Sequence, residues 1–480
     1  MSTEWESVIG LEVHVQLATE SKIFSDAPVA AGGDPNSRAC GVDLGLPGVL
    51  PVLNESALGM AVTFGLAVDG KIARECRFDR KNYFYPDLPK GYQISQLAEP
   101  VVSGGHLDID LGDGRSRRIH LTRAHLEEDA GKSVHDAYAG LSGIDLNRAG
   151  TPLLEVVSEP ELRSPHEAAQ YFRALHSLVR ALGISDGNLN EGSMRCDANV
   201  SIRPKGRKEL GERTEIKNIN SFRFVERALA FEIERQIGAV EAGGEVVRET
   251  RLYDAERDET RPMRGKETSE DYRYFPDPDL LPVVVTDAML EQARARLPEL
   301  PAAKRERYAR DFALDDYACA RLTGDPDLAR YFEAVTATGV EPRQAANWVL
   351  GEVSAALNRD ERDADDIPVP AEELGTLIAR IDEGVISSTA ARTLLATLWR
   401  EGGDADAHIA DSGLAQLNDD DELRRLAQEA LQHHPDQADQ YRAGKTKLLG
   451  FFVGQVMKAS QGKANPRQVN ELLRELLTGV

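Results

Sequence analysis

Ten residues near the start of the chain, Val8 to Leu17, alternate cleanly in polarity. Leu11, Val13, Val15 and Leu17 fall on one side, and Glu12, His14 and Gln16 on the other. A period of two is what a β-strand presents, so the sheet that receives it has one buried and one polar face. Any fold for this chain must hide the first face and accommodate the second. Glu12 and His14 project together, about 7 Å apart along the strand. A carboxylate and an imidazole converging in this way suit a metal ion; the plainer alternative is a wet sheet face.

Other stretches repeat the pattern. Asp197, Asn199, Ser201 and Arg203 share one side of a strand, as do Arg213, Glu215 and Lys217. Leu107–Leu111 and Arg117–Arg123, joined at Asp113-Gly114, read as a hairpin, and Leu153–Val157 as a buried strand. Helical spacing covers about Glu55–Val68, Pro165–Leu182 and Ser221 to Gly243-Gly244. The segment Arg80 to Gln96 combines aromatic residues and prolines with Arg80, Lys81 and Lys90. It fits a nucleotide base with its phosphates, or else a loop packed on the sheet. Together these predict an α+β domain of antiparallel strands whose polar face lines a basin. No βαβ alternation and no G-x-G-x-x-G after a strand is present, which excludes a dinucleotide-binding fold.

The hairpin leads into His125-Leu-Glu-Glu-Asp-Ala-Gly-Lys-Ser133. Gly-Lys-Ser ends a phosphate-binding loop, but Leu126 stands where that loop needs its first glycine. A second such ending, Gly444-Lys-Thr446, fails in the same way at Asp439, so a Walker-type NTPase is disfavoured. Glu127, Glu128 and Asp129 would repel phosphate unless a cation stood between them. The stretch is thus either a solvated acidic turn or one wall of a metal–phosphate site.

From about Asp287 helical periodicity takes over, with polar breaks at Asn358–Asp366 and Glu401–Asp404. The division expected is a cradle over 1–290, a helical connector over 291–405 and a helical tail over 406–480. The last helix is announced by Asn465 as cap, Pro466 at its first position and an apolar stripe through Val469, Leu472, Leu473, Leu476 and Leu477. The net charge of −23 argues against polyanion binding over the whole surface. Yet residues 441–480 hold seven Lys/Arg against two Glu, a net of +5, leaving −28 for the rest. Lys445, Lys447, Lys458 and Lys463 are therefore candidates for contacts to a nucleic-acid backbone, the alternative being a locally basic helical unit without a partner. The four cysteines form no C-x-x-C pair and fit a reducing cytoplasm. No signal peptide is visible, and no apolar run of about 18 residues reaches across a membrane.

Several stretches together are more specific than any one: Ile9–Gln16, Arg80–Gln93, His125–Ser133, Asp145–Glu155, Glu191–Asp197, Thr214–Phe222, Asp271–Asp279, Gly450–Lys458 and Gly462–Pro466. In this order they closely resemble the B-subunit family of tRNA-dependent amidotransferases, over essentially the whole chain. The resemblance implies a cradle related in fold to glutamine synthetase, a helical domain and a tail that contacts tRNA. It implies that ATP with Mg²⁺ phosphorylates the side-chain carboxylate of Glu-tRNA(Gln), Asp-tRNA(Asn) or both. Ammonia from a glutaminase (A) subunit then displaces the phosphate, while a small C subunit holds the two large ones together.

On that resemblance Glu12, His14 and Glu128 become Mg²⁺ ligands, directly or through water, with Glu127 adjacent. Lys81, Arg148 and Lys217 become contacts to phosphate or to the substrate carboxylate, and Glu215 binds a second metal or orients the amine. Lys132 either reaches the phosphates or only caps its turn. Many relatives bind structural zinc through C-x-C and C-x-x-C, where this chain has Ser25, Ala27, Cys40 and Asp43. One thiolate of four cannot close such a site, so no zinc is expected. The competing reading is a non-catalytic RNA-binding adaptor that uses only the basic tail.

Overall fold

The computed structural model describes residues 4–29, 32–112, 114–138, 140–265, 272–414, 420–460 and 464–478. It divides into two compact units, Met1–Lys304 and Arg305–Val480. The first is a mixed α+β unit, and the second is helical.

The alternating stretch forms β1 (Trp5–Gln16), which lies inside a ten-stranded sheet. On one side it pairs antiparallel with β5 (Pro152–Ser158), which pairs with β4 (Arg115–Glu128). On the other it pairs with β6 (Met194–Pro204), followed by β7 (Thr214–Lys217), β8 (Glu249–Asp254) and β9 (Glu259–Gly265). Every pairing in this run is antiparallel except β7 with β8. Two short strands, β2 (Asp79–Asn82) and β3 (Tyr92–Ser95), form a separate small sheet with Phe275–Pro276.

Ile9, Leu11, Val13 and Val15 share one apolar cluster with helices α1 (Glu55–Ala67), α2 (Pro165–Ala181) and α3 (Phe222–Glu241). Phe64, Tyr171, Phe172, Leu175, Val225 and Leu229 are fully or almost fully buried there. The helices start where the sequence supplies caps. Ser164 accepts from the Glu167 N–H ahead of Pro165, and Ser221 accepts from the Phe224 N–H. With the helices on the apolar face, the other face of β1 is left for the polar residues.

The hairpin extends further than the sequence pattern indicated. Its second strand does not stop near Arg123 but runs to Glu128. Glu127 and Glu128 are each 2% exposed, so the acidic stretch is the buried end of a strand and not a solvated turn.

Two apolar clusters organise the helical unit. One gathers Phe332, Val349, Leu374, Leu377, Leu394 and Leu398; the other gathers Leu423, Phe452, Val456, Val469 and Leu473. The helices Pro342–Trp348 and Ser354–Asp360 are joined by a π-turn over Val349–Val353, where the Ser354 hydroxyl donates back to the Val349 carbonyl (2.9 Å). Among the described residues no helix is long and apolar enough to cross a membrane.

Candidate active site

Strand register builds the site. His125 on β4 lies opposite Glu155 on β5, Glu155 opposite His14 on β1, and His14 opposite Arg195 on β6. These four form one row across the polar face. Glu127, two residues beyond His125, shares that face. A second row runs through Arg123, Val157, Glu12 and Asp197, and Lys217 follows on β7.

Four side chains converge on one point. His14 Nε2 is 3.6 Å from Glu127 Oε1 and 3.4 Å from Glu155 Oε2. His125 Nε2 is 3.7 Å from Glu127 Oε2 and 3.5 Å from Glu155 Oε2. Charge-assisted hydrogen bonds close to about 2.7–2.9 Å, so these groups surround a common space and do not clasp one another. His14, Glu127 and Glu155 each offer a ligand atom, all within 4.8 Å of one another. Around a Mg²⁺ ion with bonds of about 2.1 Å, neighbouring ligand atoms sit about 3 Å apart and opposite ones about 4.2 Å. One imidazole and two carboxylates at this spacing fit a divalent cation, with positions left for phosphate and water.

His125 has a different part. Its Nδ1 receives the Arg123 Nε–H at 3.3 Å, which leaves the ring proton on Nε2. That N–H faces Glu127 and Glu155 and positions them, so His14 is the imidazole with a nitrogen for the metal. Burial opposes a charge on His14, but the contact with Glu155 and the fields of Glu155, Glu127 and Asp197 prevail, and its pKa is pushed up to about 9. Burial likewise opposes ionisation of Glu155, yet His125, His14 and Lys81 hold its carboxyl well below the usual range. Glu127 is lowered in the same way, against burial, by His125, Lys81 and His14.

The other expected residues are spread around this centre. Glu12 lies in the second row, two positions from His14, and its Oε1 accepts from Asn199 Nδ2 at 2.8 Å; it is outside the metal-competent trio. Glu128 was expected beside the metal, but as the next residue after Glu127 it points to the opposite side of β4. There it receives Lys90 Nζ at 2.7 Å and the Ile94 N–H at 2.8 Å. Both side chains of that pair are almost fully buried.

Lys81, on β2, stacks 4.9 Å from the Tyr272 ring centre, and its field reaches Glu127 and Glu155. Its neighbours in the aromatic segment are already engaged, Arg80 by Asp277 and Asp279 and Lys90 by Glu128. Arg148 braces the turn after β4, donating to the carbonyls of Ala130 (2.8 Å) and Gly131 (2.7 Å). Lys132 is exposed on the strand that follows. Lys217 bonds Asp197 at 2.6 Å and lies 3.3 Å from Glu215, which also accepts from Thr250. Burial opposes its charge, but Asp197 and Glu215 raise its pKa. Asp129 is held by Arg195 and Gln16, both at 2.9 Å.

Of the four positions compared with zinc ligands, Ser25, Cys40 and Asp43 meet. The Ser25 hydroxyl and the Cys40 N–H both donate to Asp43, and the fully buried Lys22 ammonium bonds the same carboxylate at 3.0 Å. In the tail, Lys445, Lys447 and Lys458 are exposed, and Lys463 lies outside the described residues.

Glu155 and His125 were missed as site residues, although Glu155 had a legible signal. It is the lone charge within Leu153-Leu-Glu-Val-Val157, and a carboxylate in a buried strand needs a partner.

Residues 7–291 match the GatB/GatE catalytic domain, and residues 330–477 match the GatB domain. The chain is 58% identical over 477 residues to the B subunit of the aspartyl/glutamyl-tRNA(Asn/Gln) amidotransferase of Nitrosococcus oceani, covering 99% of this chain and 100% of that one. The protein of the same name from Halorhodospira halophila is 57% identical over 477 residues with the same coverage. That from Coxiella burnetii is 56% identical over 476, again covering 99% and 100%. The chain belongs to the GatB/GatE family of amidotransferase B subunits.

Proposed function

We propose that this chain is the phosphorylating and amidating subunit of a cytoplasmic tRNA-dependent amidotransferase. It acts with a glutaminase A subunit and a small C subunit on the side-chain carboxylate of Glu-tRNA(Gln), Asp-tRNA(Asn) or both. The observation that carries this reading is the open square of His14, Glu127, Glu155 and His125 on a sheet face that also presents Lys217 and Arg195.

A carboxylate is a poor electrophile, and ATP repels it. Phosphoryl transfer is helped mainly by positioning and charge neutralisation. A carboxylate oxygen of the substrate bonds to the γ-phosphorus as the bond to ADP breaks, giving an acyl phosphate. Ammonia then adds to the acyl carbon, inorganic phosphate leaves, and a proton is lost from nitrogen. His14, Glu127 and Glu155 would hold Mg²⁺, which when bound neutralises phosphate charge. His125 keeps the two carboxylates aimed, and Lys81 brings a fixed positive charge to the same side. The exposed tail lysines supply contacts to the tRNA backbone that carry no sequence information.

The assembled complex, given ATP, glutamine and Glu-tRNA labelled with ¹⁸O in the side-chain carboxylate, should release phosphate containing one ¹⁸O. Amide formation with unlabelled phosphate would rule out the acyl phosphate. tRNA binding without any amide formation would favour the adaptor reading.

A further inference from the structure

Most cations around the His14–Glu127–Glu155 group are committed to other parts of the protein. Lys217 lies between Asp197 and Glu215, Arg148 donates to two carbonyls, and the Arg123 Nε–H goes to His125. Arg195 differs. It stands directly opposite His14 on the polar face, and among the described residues its one hydrogen bond runs from Nη2 to Asp129 Oδ1. Its side chain is 24% exposed, so the remaining N–H groups are open to a ligand. Asp129 itself is buried and fixed. Its other oxygen accepts from Gln16 on β1, its N–H donates to the Thr151 carbonyl (2.8 Å), and its carbonyl accepts from the Gly150 N–H (2.9 Å). A rigid carboxylate thus aims a guanidinium whose planar fork matches the geometry of a carboxylate or a phosphate.

The two sides of the metal-competent group differ in character. The small sheet sits on the β4 side, where the Ser95 hydroxyl of β3 donates to Glu127 at 3.2 Å. There Lys81 lies over the Tyr272 ring, and the Tyr272 and Tyr274 rings meet at 6.1 Å. Aromatic faces beside a cation suit a nucleotide. On the β6 side the group meets Arg195, backed by Asp129 and Gln16. In phosphoryl transfer the attacking and leaving oxygens lie roughly in line, so the two substrates reach the phosphorus from opposite sides. With the nucleotide on the β4 side, the attacking carboxylate comes from the side of Arg195.

Resting on the function proposed above, we propose that Arg195 grips the side-chain carboxylate of the esterified glutamate or aspartate, and that Asp129 positions it. One carboxylate oxygen is left to attack the γ-phosphorus while Arg195 holds the other. In the acyl phosphate the held oxygen is the carbonyl oxygen. It takes on negative charge as ammonia adds to the carbon and gives that charge up as phosphate leaves, so the same guanidinium stabilises the tetrahedral intermediate. The amide product carries no charge there and is held more weakly, which favours its release. Arg195 is thus a catalytic residue and the one that tells acid from amide.

The test uses the assembled complex with Glu-tRNA and its product Gln-tRNA, measuring Kd with Mg²⁺ but without ATP, and kcat/KM with ATP and glutamine. A charge-assisted hydrogen bond to the carboxylate contributes about tenfold to a hundredfold in binding. Arg195→Ala should weaken Glu-tRNA by that factor and Gln-tRNA much less, so that the preference for the acid falls. For amidation kcat/KM should drop by roughly a hundredfold or more, with KM for ATP unchanged. An unchanged ratio of the two Kd values would overturn the assignment. So would a loss confined to KM for ATP, which would give Arg195 to the nucleotide.

Asp129→Asn keeps the volume of Asp129 but removes the charge that aims Arg195. It should lower the same Kd ratio severalfold in the wild type and add nothing in the Arg195→Ala background. Equal losses in both backgrounds would overturn the positioning role of Asp129. Should Arg195→Ala fail to fold, Arg195→Lys, which keeps a charge beside Asp129 and lacks the fork, asks the same question of the same ratio. A complex that binds both tRNAs but forms no amide rejects the functional reading, and the ATP-free Kd ratio still decides this one.

Discussion

Glu127 and Glu128 are chain neighbours in two regions of opposite design. Glu127 belongs to a loose square with His14, Glu155 and His125, whose nitrogen–oxygen distances are 3.4–3.7 Å. Glu128, on the far side of the same strand, is clamped by Lys90 at 2.7 Å and by the Ile94 N–H. The clamp brings a full positive charge to its acid at hydrogen-bond distance. The square meets its two acids with imidazoles, which are charged only when protonated, and leaves a gap at the centre. A buried acid that is to bind a cation must not already be closed upon one; a buried acid that only holds the fold must be. The two regions should therefore fail in different ways.

The largest effect expected is on catalysis in the square. Glu155→Gln keeps the shape and removes one anionic ligand. Amide formation should fall about a thousandfold, some 4 kcal/mol of transition-state stabilisation. The melting temperature should drop only slightly, because losing the Glu155 carboxylate's contacts with His14 and His125 is partly offset by losing its repulsion with Glu127. A variant that melts well below the wild type would show the square to be a structural clasp.

The clamp should show the reverse. Glu128→Gln leaves the Lys90 ammonium buried without its counter-charge, at a cost to stability of about 3 kcal/mol. Lys90→Met combined with Glu128→Met should recover most of that loss, as replacing a buried pair by apolar groups of similar volume often does. Urea unfolding of both variants provides the check. A stable but inactive Glu128→Gln would return Glu128 to the metal site, where the family resemblance first placed it.

That misplacement shows what the sequence could and could not tell. Alternation alone put Glu12 and His14 on one face and Leu11, Val13, Val15 and Leu17 on the other, because burial along this stretch depends on a local period. The α+β division and the helical second unit were legible for the same reason. The family resemblance pointed to His125–Ser133, but the parity of the strand decides which acid faces the centre. Parity was hidden because the stretch read equally well as a turn. Glu155 entered the site through register with His14 and His125, a long-range pairing that no local pattern carries. Arg148 was named from the resemblance as a contact to phosphate or carboxylate, yet most of its hydrogen bonding goes to two carbonyls.

The smallest effect expected is a pH dependence confined to the square. With divalent metal chelated, His14 has its pKa raised from an ordinary 6.5 to about 9 by Glu155, Glu127 and Asp197 against the opposing effect of burial. A raised folded-state value contributes stability that is fully present below pH 6.5 and fades as the pH rises through about 9. The lowered carboxyls of Glu127 and Glu155 contribute in the opposite sense, above their ordinary value of 4.5, and lose that contribution in acid. The metal-free square is thus best satisfied between about pH 4.5 and 6.5. A fully enclosed ring would lose about 3 kcal/mol across the His14 window. About a fifth of the side chain meets solvent, and screening there reduces the expected loss to about 1 kcal/mol. Urea midpoints at pH 6.5 and pH 9 in the presence of chelator should separate for the wild type by that much more than for His14→Gln. Glu128→Gln, whose lesion lies on the other side of the strand, should keep the wild-type difference. If His14→Gln shows the same pH difference as the wild type, His14 does not carry the proton that a metal must displace.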